Sequence, residues 1–231
     1  LVTSGIFAQG NLTVNSGGSL TVSEASFLTA AGNLSSTGTV TLNSTEDAFS
    51  SLIVEGTATG DVIYNRYVNA YDTNALGGGW DLIGAPAGMT ISAFIAANGA
   101  NIEVLGDDYA FSQYDNATGQ WNRYATASQT GSFEAAQGYS MATNAGDGAT
   151  VAFTGAMQTT SQSISIINNN GFNNVGRRWN LVSNPFPSYI NGNAAAGAAN
   201  FMDVNSAVID GSFLGLYGWN GADYDIYNNT G

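Results

Sequence analysis

The chain carries seventeen acidic side chains against four basic ones and has no histidine or cysteine. The basic residues are all arginine, so its chemistry is limited to oxygen ligands, aromatic rings and a few guanidinium groups. Hard oxygens gather in turns at two places: Asp107 and Asp108 after Gly106, and Asn220 ahead of Asp223 and Asp225. Such clusters suit Ca2+, which needs six or more converging oxygens. Neither fits an EF-hand loop, and solvated turn acids are the plainer reading. Ca2+ is the one cofactor left open. Arg66 stands between Tyr64 and Tyr67, a combination that can support β-elimination on acidic sugars without histidine. Capping the last rung of a strand stack is the competing explanation. Trp121, Trp219 and Tyr224 are the candidate platforms for stacking on sugars, set against the plainer view that such rings fill a core.

Other chemistry is excluded or unmarked. Without His or Cys the chain can hold neither a Ser-His-Asp nor a Cys-His catalytic set. The usual zinc, copper and haem sites are ruled out as well. Without Lys, no Lys–Asn isopeptide staple can form. Paired carboxylates could cleave a glycoside, but nothing marks a pair among the acids, and no catalytic residue is assigned. Arg177 and Arg178 form the one basic pair and read as a solvated loop or salt bridge rather than an anion site. Asn-x-Ser/Thr triplets begin at Asn11, Asn33, Asn43, Asn116 and Asn228, as chance predicts in a chain so rich in these residues.

Composition narrows the class further. Hydrophobic residues make up 44% of the 231 positions and charged residues 9%, so the chain can build real cores while its polarity comes from amides and hydroxyls. A net charge of −13 argues against nucleic acid and anionic membranes as partners, since phosphate contacts need clustered cations. No run approaches the roughly 20 apolar residues of a membrane helix. Beginning at Leu1, the chain reads as a piece of something longer.

The positioning elements read as strands. Through residues 1–68, short alternating segments such as Leu12-Thr13-Val14, Leu20-Thr21-Val22 and Val40-Thr41-Leu42 are separated by Gly/Asn/Ser/Thr clusters. This predicts a β-solenoid-like or meander segment. A loop near residues 69–79 marks a boundary. Beyond it, Trp80-Asp81-Leu82-Ile83-Gly84-Ala85-Pro86 returns as Trp179-Asn180-Leu181-Val182-Ser183-Asn184-Pro185, which predicts two related β-sandwich modules at 69–160 and 161–231, the second incomplete. In the first, a strand is expected at 80–84, a helix at 91–97 with Ser92 as its cap, and hairpins at 109–126 and 138–154; a further strand is expected at 161–167. In the second, residues 194–200 take the place of the helix, and an aromatic hairpin spans 213–227.

The segments at 11–22, 52–68, 79–86, 178–190 and 216–228 together resemble a pattern in large secreted surface proteins of Bacteroidetes exported by the type IX secretion system. Trp179-Asn180-Leu181-Val182-Ser183-Asn184-Pro185-Phe186-Pro187-Ser188-Tyr189-Ile190 is the most specific part. The resemblance implies an extracellular, outer-membrane-associated location, with a sorting domain expected downstream. It assigns no activity. The expectation is an all-β, non-enzymatic structural or adhesive module: a stalk, adhesin or filament subunit. Its partners would be other copies or neighbouring surface domains, joined by strand addition. The alternative is a carbohydrate-binding module using exposed aromatics.

Overall fold

The computed structural model describes residues 4–168, 178–197, 199–220 and 223–228. The protein is mostly β: among these residues are eighteen strands and two short α-helices. The first nine strands are dealt in turn to three parallel stacks. Strands β1 (Ile6–Ala8), β4 (Phe27–Ala30) and β7 (Ser51–Val54) form one, and β2 (Leu12–Val14), β5 (Leu34–Ser36) and β8 (Ala58–Thr59) a second. The third begins with β3 (Ser19–Val22), β6 (Thr39–Leu42) and β9 (Asp61–Val68). Each circuit therefore places like residues above like. Leu28 pairs with Leu52, Leu12 with Leu34, and Val22 with Leu42. Burying one such Leu or Val stabilises the fold by roughly 1.5–3 kcal/mol.

Polar corners set the circuit length. The Asn11 side-chain carbonyl accepts from the Asn33 N–H, 22 residues on, at 2.9 Å. The Asn33 side chain accepts in turn from the Thr57 N–H, 24 residues on, at 2.9 Å. Gly10, Gly32 and Gly56 precede these residues, and a Cβ at Gly32 or Gly56 would overlap the Asn side chain of the circuit before. Here lies a repeat finer than the tryptophan phrase: Gly-Asn-Leu-Thr at 10–13, Gly-Asn-Leu-Ser at 32–35 and Gly-Thr-Ala-Thr at 56–59.

Strand β9 joins two kinds of sheet. On one edge it runs parallel to β6. On the other it pairs antiparallel with β16 (Ala149–Met157), from Asp61 opposite Ala156 to Val68 opposite Ala149. With β11 (Ala87–Gly88) the sheet order is β11-β16-β9-β6-β3. A second five-stranded sheet contains β10 (Asp81–Gly84), β12 (Val104–Leu105), β13 (Asp108–Asp115), β14 (Gln120–Ala125) and β15 (Gly138–Met141). Helix α1 (Ile91–Asn98) packs on β16, its Phe94 stacked on Phe153 with centroids 4.8 Å apart. Phe111, Phe133 and Tyr139 complete this aromatic cluster. One buried cluster runs from Val14 to Met157.

Several local expectations are met and several corrected. The 109–126 hairpin forms, with Asp115 opposite Gln120. Helix α1 matches its predicted span, but its cap is Thr90, whose hydroxyl accepts from the Ala93 N–H at 3.1 Å. Ser92 lies inside the first turn, whereas a cap must sit before it in extended backbone. The 138–154 hairpin does not form. Both edges of β15 are taken, by β10 and β13, and β16 lies in the other sheet. The Thr143 hydroxyl donates to the Val68 and Asn69 carbonyls and draws the chain across.

Residues 161–167 make no ladder; the Asn180 side-chain amide instead holds both backbone groups of Ile167 at 2.9 and 3.0 Å. After residue 178 the helix comes later than 194–200, as α2 (Phe201–Asn205), capped by the Asn200 side chain. The aromatic hairpin appears as β17 (Leu216–Trp219) and β18 (Tyr224–Tyr227). Its Trp219–Tyr224 contact (5.0 Å between centroids, 61°) reproduces Tyr114–Trp121 of the first (5.2 Å, 57°).

The two tryptophan phrases are not equivalent. The first builds β10. The second forms a single bridge, Val182 to Gln137, and runs along the chain that leads into β15.

Candidate functional site

Where the second phrase crosses the first, it leaves a cleft. Gly84 and Gly138 face each other across the β10–β15 ladder, and residues 181–184 pass directly over them. A Cβ on Gly138 would lie 2.5 Å from the Leu181 Cγ, and one on Gly84 would overlap the Ser183 side chain. These two glycines let the second phrase lie close against the sheet. The cleft beside the crossing measures about 340 Å³. It is lined by Leu82, Gly84 and Pro86, by Leu181 to Asn184 and Phe186, by Tyr217 to Trp219, and by Tyr64 and Arg66 from β9.

Strand periodicity places the last two side chains. Val62, Tyr64, Arg66 and Val68 alternate onto one face of β9. Val62 and Val68 are fully buried, as are Phe153 and Val151, directly opposite Tyr64 and Arg66 on β16. Arg66 is thus a cation in register with core positions. It is half-buried where the apolar wall gives way to the cleft. The Phe49 ring supports its guanidinium 4.3 Å from the centroid, a cation–π contact. Burial lowers the Arg66 pKa, while the charge of Asp81 acts in the opposite sense. Asp81 is itself occupied: its two carboxylate oxygens accept the Asn69 backbone and side-chain N–H groups at 2.7 and 2.9 Å. Among the described residues, no hydrogen bond or ion pair engages the Arg66 guanidinium.

The structure divides the Tyr64–Arg66–Tyr67 group. Tyr67 points to the opposite face and donates its hydroxyl to the Asp147 carbonyl. Burial, chiefly, raises the Tyr64 phenol above its ordinary value, although Arg66 pulls it down.

Of the candidate stacking rings, Trp219 lines the cleft. Tyr224 lies across the ladder from it and braces it edge-on. Trp121 is elsewhere, 46% exposed and packed on Tyr114. Trp80, which the strand pattern did not nominate, has Arg123 above its ring at 5.7 Å.

The acidic turns remain separate. Asp107 sits in the β12–β13 turn beside left-handed Gly106, and its carbonyl accepts from Thr126. Asp108 opens β13. Asp223 accepts from the Tyr224 N–H, and Asp225 lies in β18 opposite Gly218. Among the described residues no three acidic side chains gather at one place. Arg178 is exposed; Arg177 lies outside the described residues.

A second cavity, of about 270 Å³, is lined by amides. Several already serve the fold: Asn180 clamps Ile167, Gln137 donates to the Gly138 and Leu181 carbonyls, and Asn116 donates to the Trp179 carbonyl at 2.6 Å.

Sequence reasoning did not bring Phe49, Leu82, Leu181 or Tyr217 to this site. The available signal was the alternation of β9, where one arginine interrupts a row of core residues. The chain matches no family model, no curated protein and no solved structure.

Proposed function

We propose that the protein is a non-enzymatic structural and adhesive module of a secreted cell-surface protein, working as a stiff spacer. In this reading residues 1–68 are a β-solenoid, and the sheets that follow form β-sandwich layers stacked onto its end. One observation carries it. β9 is hydrogen-bonded along both edges, to β6 of the stack and to β16 beyond it, so no free linker separates stack from sandwich. A mechanical element gains from such continuity, because force applied at one end passes through ladders rather than a flexible joint. The resemblance of the tryptophan phrases to type IX-secreted surface proteins supports the location.

Neighbouring domains or further copies are the partners in this proposal. The β17–β18 ribbon is where they would add a strand. Its first-module counterpart, β13, carries β15 as well as β14, whereas β17 pairs with β18 alone among the described residues. Force spectroscopy on the chain held at its two ends tests the reading. The expected result is a high-force event in which the stack and β16 separate together. Release at low force in many small steps, or turnover of a polysaccharide by the purified chain, would overturn it.

A second reading, carbohydrate binding, is favoured by a different observation: the cleft that brings Trp219 and Arg66 together.

A further inference from the structure

The cleft has two properties that select a ligand. First, it carries a cation whose five N–H donors are unused by the described residues, in a chain with only four arginines. A guanidinium beside apolar walls gains most from a carboxylate, which it meets with two parallel hydrogen bonds. The nearby acid, Asp81, has both oxygens turned to Asn69. Second, the wall next to that cation is aromatic and amphipathic. Trp219, Tyr217 and Tyr64 line it with rings that carry an N–H or a hydroxyl, and Ser183, Asn184 and Gly218 complete this side. Rings of this kind pack on the C–H faces of sugars while their polar tips meet hydroxyls. The volume, about 340 Å³, falls within the usual range of small-ligand sites.

We propose that this cleft binds a carboxylated sugar, a uronate unit of an acidic polysaccharide, with Arg66 on the carboxylate and Trp219 against the sugar ring. Net charge does not oppose it at working salt. The acids of the chain act over a screening length of about 8 Å in physiological salt, whereas Arg66 and the carboxylate meet inside the cleft. Phe49 holds the guanidinium in place, which reduces the ordering cost of binding. The proposal goes beyond the structural role and is independent of it, since a spacer needs no sugar site and a sugar site needs no resistance to force.

Calorimetry and tryptophan fluorescence on the full chain, titrated with trigalacturonate and with the neutral galactose trisaccharide of the same linkage, provide the test. The acidic sugar is expected to bind and the neutral one to bind at least about tenfold more weakly. Arg66→Gln is expected to weaken trigalacturonate binding roughly ten- to a hundredfold, as loss of a charged hydrogen-bonded contact does, with its melting transition retained. Trp219→Leu is expected to weaken both sugars. If Arg66→Gln does not fold, the acidic-against-neutral comparison on the unaltered chain still decides. Equal affinity for the two trisaccharides overturns the assignment, as does full binding by a folded Arg66→Gln chain. Absence of heat and fluorescence change at millimolar trigalacturonate, or acetate competing as well as monogalacturonate, does the same.

Discussion

Tyr139 shows how far one buried polar group can set the behaviour of the fold. It is 1% exposed, with its ring against Phe111 and Phe133, and its hydroxyl oxygen accepts the Glu134 N–H at 3.3 Å. Burial pushes its phenol up to about 12; the Glu134 hydrogen bond offsets part of this, and the charges of Tyr124 and Glu134 add to it. An unfolded tyrosine releases its proton near pH 10. Between that point and about 12 the unfolded chain binds fewer protons than the folded one, so stability falls as pH rises. The contribution is complete below pH 10 and lost by the time the folded phenol ionises. Urea denaturation across that window should show the native chain losing more stability than Tyr139→Phe. Equal slopes would remove Tyr139 as the source. Sequence alone could mark this tyrosine as strand-borne but not as buried on both sides, because the rings around it come from β13 and from Phe133.

At the level of elements, polar corners and apolar rows share the work of the parallel stacks unequally. Asn33 accepts from the Thr57 N–H and hydroxyl at 2.9 and 3.1 Å, but it is exposed, so water replaces those bonds cheaply. Asn33→Ala should cost about 1 kcal/mol, near the net value of one such bond. Leu34, its neighbour, is 2% exposed and sits in the stack, so Leu34→Ala should cost roughly 2–5 kcal/mol. Chemical denaturation of both variants checks the ordering; a larger loss from Asn33→Ala would mean that corners, not rows, hold the coils. The strands themselves were legible because alternation and turn residues are local. The same holds for the 109–126 and 213–227 hairpins, each closed by a short turn between aromatic strands. Layer membership was not legible. β15 and β16 follow one another like a hairpin, yet they go to different sheets because distant partners, β10 and β9, compete for them. The cleft was half legible for the same reason. Tyr64, Arg66 and Trp219 stood out by residue type, but only the crossing of 181–184 over Gly84 and Gly138 brings them together.

For the whole molecule, the question is whether the ladder through β9 makes the parallel stacks and the sheets that follow unfold as one. The sequence places a boundary at 69–79, yet one sheet and one buried cluster extend to both sides of it. The positions of the tryptophans supply a direct probe. Trp80, Trp121, Trp179 and Trp219 all follow the parallel stacks, so fluorescence reports only the later part of the chain, while far-ultraviolet dichroism reports all of it. Leu42 is fully buried within the stack, between Val22 and Tyr64 in the ladder. Leu42→Ala should destabilise by roughly 2–5 kcal/mol. If β9 transmits that loss through its pairing with β16, the fluorescence transition moves with the dichroism transition, and by the same amount. Were the two parts independent, fluorescence would keep its native midpoint while dichroism split into two steps. A shared shift would also give a reason for one strand to serve both sheets, since neither part could then be pulled open without the other.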